Sequence, residues 1–213
     1  MTADKKQKPF IFMAAALAEN GGIGHDNGLP WSIPGDWKFF EETTSKLYNG
    51  QFGEPQIPDD TTVWSNVMVM GRHSYESRPM LRVPLFHRYN VIVSRNKDYE
   101  IEPSPIAELV PSLDQAFELA SSIVKPDGRI FVLGGEQIYR QSILRPECTH
   151  VLLTNIYSSK PIPCDTFIPK IDPEIFRRAT HEELEAFLQT SVPRGKQTHE
   201  HFQYEFVLHV RKE

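Results

Sequence analysis

Five short runs of the chain are apolar almost from end to end: Phe10–Leu17 and residues 64–70, 89–94, 129–133 and 150–156. A strand with one wet face alternates apolar and polar residues, because successive side chains point to opposite sides of the sheet. Runs that do not alternate belong to strands buried on both faces, and such strands are typical of parallel sheets covered by helices on either side. The chain therefore reads as α/β. Segments 36–48, 72–77, 112–124 and 136–144 are predicted to be helices, and Ser112 with Gln115 matches a capping box. A last run behaves differently. Phe202, Tyr204, Phe206, Leu208 and Val210 alternate with polar residues, which predicts a half-exposed antiparallel strand near the C-terminus.

A length of 213 residues suits one well-buried domain. No internal repeat or linker divides it, so a polar tail is expected over residues 1–8 and a single domain over 9–213. Two stretches rich in turn-forming residues, 49–62 and 190–201, are predicted to be surface excursions. The net charge of −5 supplies no basic field for nucleic acid. The apolar stretch at residues 9–18 is about half the length a bilayer-spanning helix needs. Charged Glu19 follows it, where a signal peptide would need small residues, so no membrane association is expected. Cys148 and Cys164 make no disulfide framework and read as reduced thiols of a cytoplasmic protein. His199 and His201 alternate at strand spacing, but no third ligand accompanies them and no metal is expected.

The candidate chemistry begins in the stretch from Ile23 to Phe40, where a glycine-rich, proline-closed loop delivers Trp31 and a helix starts near Asp36. Asp36 and Phe40 share one helix face, so a carboxylate and an aromatic ring look into the same space. Taken alone, Asp36 is also an ordinary first-turn carboxylate that offsets the helix dipole. Three strand ends add anion-friendly chemistry. Gly71 is followed by Arg72, His73 and Ser74; Ser94 by Arg95; and the run 129–133 by Gly134 and Gly135. Open α/β sheets bind ligands outside the carboxyl ends of their strands, and helix N-termini attract anions. The glycine pair falls short of a dinucleotide fingerprint by itself. Arg88, preceded by Leu85 and Phe86, suggests a carboxylate clamp beside an apolar wall or, more simply, a solvated loop arginine.

These motifs stand in one order and spacing: I-G-H-D-N-G-L-P-W with Asp36 beyond it, M-G-R-H-S-Y-E-S, R-Y-N-V-I-V-S-R, F-V-L-G-G-E-Q-I-Y, and L-L-T-N-I followed by C-D-T-F. In all of them, over essentially its whole length, the chain resembles dihydrofolate reductase, and its length and excursions look most like the fungal members. The resemblance implies a mostly parallel central sheet of about eight strands with an antiparallel C-terminal strand and flanking helices. It implies reduction of 7,8-dihydrofolate to tetrahydrofolate with NADPH as cofactor, serving one-carbon metabolism and thymidylate synthesis. Dihydrofolate and antifolate inhibitors are the implied partners, and the implied state is a monomer. Asp36 would be the only ionisable side chain at the pterin, supported by Thr154. Trp31 would hold a water, and Leu29 would belong to the closing loop. Phe40 would stack on the substrate, Leu85 would line its benzoyl pocket and Arg88 would bind its α-carboxylate. Ala14 and Leu133 would offer carbonyls, Tyr139 would meet the ring edge, and Ala15 and Ser77 complete the implied substrate set. Arg72, His73 and Ser74 would sit near cofactor phosphates, with Ser94 and Arg95 near the 2′-phosphate. Gly134, Gly135, Glu136, Gln137 and Ile138 would contact pyrophosphate and nicotinamide, with Gly71, Ala16 and Ile23 completing the cofactor set. A cis Gly134–Gly135 bond is also implied, and a second is considered between Val83 and Pro84. Arg78, Tyr75 and Ala14 depart from the family pattern. The competing readings are a pyrimidine reductase of riboflavin synthesis, which shares the fold, and a non-catalytic nucleotide- or folate-binding module. The set Trp31, Asp36, Phe40 and Arg88 speaks against the first, and the presence of Asp36 and Trp31 against the second.

Overall fold

In a computed structural model the described residues are 7–77 and 80–213. The chain runs β1 (Phe10–Leu17), β2 (Gly22–Gly24), α1 (Pro34–Ser45), β3 (Asn66–Gly71), α2 (Arg72–Glu76), β4 (Arg88–Val93), β5 (Ala107–Val110) and α3 (Leu113–Ile123). It continues with β6 (Ile130–Val132), α4 (Glu136–Ser142), β7 (Cys148–Ser158), β8 (Thr166–Phe167), β9 (Phe176–Arg178), α5 (His181–Leu188), β10 (Gln197–His199) and β11 (Phe202–Arg211). The main sheet has the order β10-β11-β7-β1-β6-β3-β4-β5, with β9 also pairing with β11. Every pairing from β7 through β1 to β5 is parallel, and β11 is antiparallel to its three neighbours. The expected strand set is present, and β2 and β8 add a small separate antiparallel pair.

The non-alternating runs are explained by what covers them. Ile11, Met13, Met68 and Met70 enter one core with Phe39 of α1, Tyr75 of α2, and Leu184 and Leu188 of α5. Their sequence neighbours Phe10, Phe12, Val67 and Val69 enter a second core with Phe117 and Ala120 of α3 and Ile138 of α4. Each central strand thus feeds two cores by the two-residue period, and both positions must be apolar.

Boundaries differ from expectation where side chains from elsewhere intervene. The helix expected over 36–48 starts at Pro34, whose fixed φ suits a first helical turn, and ends at Ser45. Asn66 Nδ2 donates to the Thr44 and Lys46 carbonyls at 2.8 and 2.9 Å, and takes up the orphan acceptors of that end. Ser112 caps α3 by accepting from Gln115 N at 3.2 Å, half of the expected capping box. The stretch 190–201 is not wholly a loop: β10 lies within it and pairs with β11. Of the expected tail, residues 1–6 lie outside the described residues, and Lys8 is tied down rather than frayed, its backbone N donating to Ser121 Oγ at 3.0 Å. Among the described residues no helix is long and apolar enough to cross a membrane.

Candidate active site

A cleft of about 1000 Å³ opens where the parallel strands end. Its walls come from the carboxyl half of β1 (Ala14, Ala15), from the residues after β3 (Arg72, His73, Ser74, Ser77), after β4 (Ser94, Arg95) and after β6 (Leu133, Gly135 to Tyr139), and from Thr154 of β7. Asp36 and Phe40 of α1 line it, with Ile23, Leu29 and Gly71. The topology brings these together because β6 lies between β1 and β3, so three consecutive strand ends share one edge.

Asp36 enters at the first turn of α1, where Ile33 N-caps without a side-chain bond and Gly35 precedes it. Gly35 is required by packing: a Cβ there would stand 2.0 Å from the Tyr204 hydroxyl oxygen. Burial pushes the Asp36 carboxyl up from 3.8 to about 6, and a hydrogen bond with Thr154 pulls it partly back. Burial, then the nearby Asp36, raises the pKa of Tyr204, a neighbour the sequence did not single out.

The opposite wall is built around glycine. Gly134 has φ +89°, and a Cβ on it would lie 2.5 Å from the Tyr139 ring. The Gly134–Gly135 bond is cis and is the only cis bond among the described residues, so Val83–Pro84 is trans. Gly71 N donates to the Gly134 carbonyl at 2.6 Å, joining the ends of β3 and β6. Tyr139, fully buried among apolar groups, donates its hydroxyl to the Met13 carbonyl at 2.6 Å. It thus braces the cleft through β1. Glu136 is committed structurally: Oε2 accepts from Phe167 N at 3.2 Å and Oε1 pairs with Arg140 at 2.8 Å.

The anion-friendly residues form one bank. Arg72 stacks over the Tyr99 ring at 5.4 Å and lies 3.4 Å from His73 Nε2 through its own Nη2. Ser94 Oγ accepts from Asn96 N at 3.2 Å, and Arg95 Nη2 donates to Gln137 Oε1 at 3.1 Å. Arg95 is exposed, free to follow a charged group.

Five expected site residues are not on the cleft wall: Ala16, Trp31, Leu85, Arg88 and Gly134. Ala16, Trp31 and Leu85 are core residues, and Trp31 Nε1 has no hydrogen-bond partner among the described residues. Arg88 is neither a loop residue nor solvated: it opens β4, 2% exposed, behind the Phe40 ring and ion-paired with Glu41. Gly134 lies behind the cis bond, against Tyr139. Tyr75 is buried in the core, and Arg78 lies outside the described residues. Asp165 and Thr166 are among the cleft-lining residues that the sequence did not assign. Asp165 Oδ2 accepts from Asp26 N at 2.9 Å and its own N donates to Gly24 O at 2.9 Å, pinning the loop that carries Leu29. The C-D-T-F motif held that signal, without showing which loop it would reach.

A family model described as dihydrofolate reductase matches residues 10–48 and 60–201, leaving out most of the excursion after Tyr48. Among curated relatives, the dihydrofolate reductase of Pneumocystis carinii is 32% identical over 215 residues, covering 96% of this chain and 98% of its own. That of Schizosaccharomyces pombe is 28% identical over 90% of this chain and 43% of its own. The bifunctional dihydrofolate reductase-thymidylate synthase of Glycine max is 38% identical over 78% of this chain, which spans 29% of that longer protein. Among solved structures, dihydrofolate reductase from Enterococcus faecalis complexed with NADP(H) and RAB-propyl superposes with a TM-score of 0.68 at 23% identity, covering 97% of this chain and 98% of its own.

Proposed function

The chain belongs to the dihydrofolate reductase family, and from that premise we infer that its cleft reduces 7,8-dihydrofolate to 5,6,7,8-tetrahydrofolate with NADPH, N5 gaining a proton. The observation that carries this reading is the pairing of one buried carboxyl, Asp36 at about 6, with a bank of hydroxyl and cationic donors across the same cleft. A pterin offers an amino group and a ring NH to such a carboxyl. A phosphorylated cofactor suits the Arg72, His73, Ser94 and Arg95 bank. The cofactor's fit also rests on the glycine seam, where side chains on Gly71 or Gly134 would crowd Ile138 and Tyr139 and narrow the cradle.

NADPH, when bound, supplies the hydride. The protein's work is alignment and proton control. Asp36 holds the amino edge of the pterin and Thr154 orients the Asp36 carboxyl. Phe40 packs against the pterin face, while Leu29 closes over it and excludes water. Trp31 Nε1, a buried donor without a partner among the described residues, suits a water relaying the proton toward N5. Ala14 and Leu133 present carbonyls to the pterin amino edge. Ser94 and Arg95 read the 2′-phosphate. A working monomer is part of this reading, and the unpaired cysteines Cys148 and Cys164 fit a reducing, cytoplasmic setting. Antifolates that mimic the protonated pterin compete for Asp36.

The purified protein should oxidise NADPH only when dihydrofolate is present and form tetrahydrofolate in equal amount. Oxidation that ignores dihydrofolate, or reduction of a ribosylaminopyrimidine phosphate instead, would overturn the assignment.

A further inference from the structure

Two guanidinium groups, one aromatic ring and one carboxylate meet beside the cleft at Arg72. Arg72 lines the cleft, and its Cζ lies 5.4 Å from the centre of the Tyr99 ring. Arg82 Cζ lies 5.6 Å from the same ring centre. Glu76 faces the two cations unequally: Oε1 accepts from Arg82 Nη2 at 2.7 Å, whereas Oε2 is 4.0 Å from Arg72 Nε. Tyr99 is 8% exposed and packs in the same core as Tyr75, so its ring is a fixed platform. Its hydroxyl is buried with no hydrogen-bond partner among the described residues, so the ring face and not the polar atom makes the contact. Tyr99 follows Ser94 and Arg95 in the segment between β4 and β5. It therefore ties Arg72, which opens α2 after β3, to the segment that leaves the neighbouring strand end.

We propose that Tyr99 is a positioning residue for cofactor choice: its ring, together with the Glu76–Arg82 pair, holds Arg72 in place and clear of a close carboxylate, so that the cleft selects a dinucleotide carrying an extra phosphate monoester. The inference rests on the reading of the cleft as an NADPH site. A guanidinium over an aromatic face is held by the ring quadrupole, so it loses rotamer freedom before the ligand arrives and not at binding. Arg72 and Glu76 stand four apart on α2, the spacing of a helical ion pair. A carboxylate paired closely with Arg72 would compete with an incoming phosphate for the same N–H groups. Arg82 engages that carboxylate instead. Two guanidinium groups against one carboxylate leave one positive charge in excess, and the distances leave it at Arg72, on the cleft wall.

Calorimetric titration of the purified protein with adenosine 2′,5′-bisphosphate and with adenosine 5′-monophosphate isolates the extra phosphate without turnover. The wild type should bind the bisphosphate more tightly. Tyr99→Leu should weaken the bisphosphate about 2–10-fold, the effect of ordering one long side chain at binding, and leave the monophosphate unchanged. Tyr99→Phe keeps the ring and should bind both as the wild type does. Arg82 is largely exposed, so Arg82→Ala leaves the core intact. It should release Glu76 to Arg72 and weaken the bisphosphate about 2–5-fold, and adding Glu76→Gln should restore the affinity. In turnover Tyr99→Leu should raise KM for NADPH and leave kcat and KM for NADH alone. Equal weakening of both nucleotides by Tyr99→Leu, a loss in Tyr99→Phe as large as in Tyr99→Leu, or no recovery on adding Glu76→Gln would each overturn the proposal. A protein that keeps the discrimination yet reduces no dihydrofolate would sink the reductase reading and leave the Tyr99 proposal standing. One that reduces dihydrofolate but binds the two nucleotides alike would do the reverse.

Discussion

Burial lifts the Asp36 carboxyl to about 6, so near neutral pH the cleft holds both acid and carboxylate. The acid form can keep a proton close to the pterin and the carboxylate cannot, so kcat/KM should fall about tenfold per pH unit above that value. Asp36→Asn removes the titrating group and keeps the shape. Its turnover should drop at least about 10–150-fold, the worth of one charged hydrogen bond, and its pH profile should lose the break near 6. An unchanged break in the variant would assign it to another group. Arg95 is tested by cofactor choice. It is exposed and, among the described residues, held by Gln137 alone, so Arg95→Ala should raise KM for NADPH on the order of tenfold and leave NADH use alone. Equal weakening of both cofactors would make Arg95 a scaffold residue. At this scale the sequence was informative about residues whose chemistry is tied to a helix start, Asp36, or to a strand end, Gly134, Gly135, Ser94 and Arg95. It was silent about partners brought in by the fold. Glu41 opposite Arg88 and Tyr204 against Gly35 join segments far apart in the chain, and no local pattern encodes such pairs.

Among elements, those with long apolar runs were legible and the short ones were not. β1, β3, β4, β6, β7 and β11 each announce themselves by how they are buried. β5, with four residues at the sheet edge, and β2, β8, β9 and β10, with two or three each and, unlike β6, outside the long apolar runs, are too short for any period to register. α5 is the instructive omission. Thr180 and Glu183 form a complete capping box, and Leu184 and Leu188 are its buried positions, so the local signal existed in eight residues. What holds α5 in place is not local. Arg129, at the head of β6, donates Nη2 to the Phe187 carbonyl at 2.6 Å and stacks on the rings of Tyr48 and Phe187 at 3.5 and 4.2 Å. Lys46, just past α1, donates to the Leu188 and Gln189 carbonyls at 2.7 and 3.1 Å, at the same C-terminal end of α5. Arg129→Ala should therefore destabilise the fold by about 2–4 kcal/mol through the lost stacking and charged hydrogen bond. Amide exchange should accelerate first in α5 and last in α3. Uniform acceleration across both helices would show that Arg129 supports the sheet as a whole rather than this helix.

The whole molecule places its cleft where five parallel pairings end, and the same burial that tunes the site leaves a mark on global stability. Asp36 is raised from 3.8 to about 6, so the folded state holds a proton the unfolded chain has already lost. Its contribution is full below about 3.8 and is lost as pH rises to about 6, a change of about 3 kcal/mol. His150, on β7 and stacked on Phe187 at 4.2 Å, does the reverse. Burial, then the Arg129 charge, lowers it from 6.5 to about 4, so the unfolded chain takes up a proton that the folded one refuses. Stability is lost as pH falls from 6.5 to about 4, again by about 3 kcal/mol. The two slopes oppose each other across nearly the same window, and the wild-type protein should show little net dependence on pH there from these groups. Asp36→Asn removes one slope and exposes the other. In urea titrations the variant should gain stability by about 3 kcal/mol between pH 4 and 6.5, and at pH 7 it should be more stable than the wild type, because an amide replaces a carboxylate that burial disfavours. His150→Gln should do the opposite and lose stability over that window. A variant at Asp36 no more stable than the wild type at pH 7 would mean that the cleft solvates the carboxylate fully, and the proton-retaining role assigned to Asp36 would fall with it.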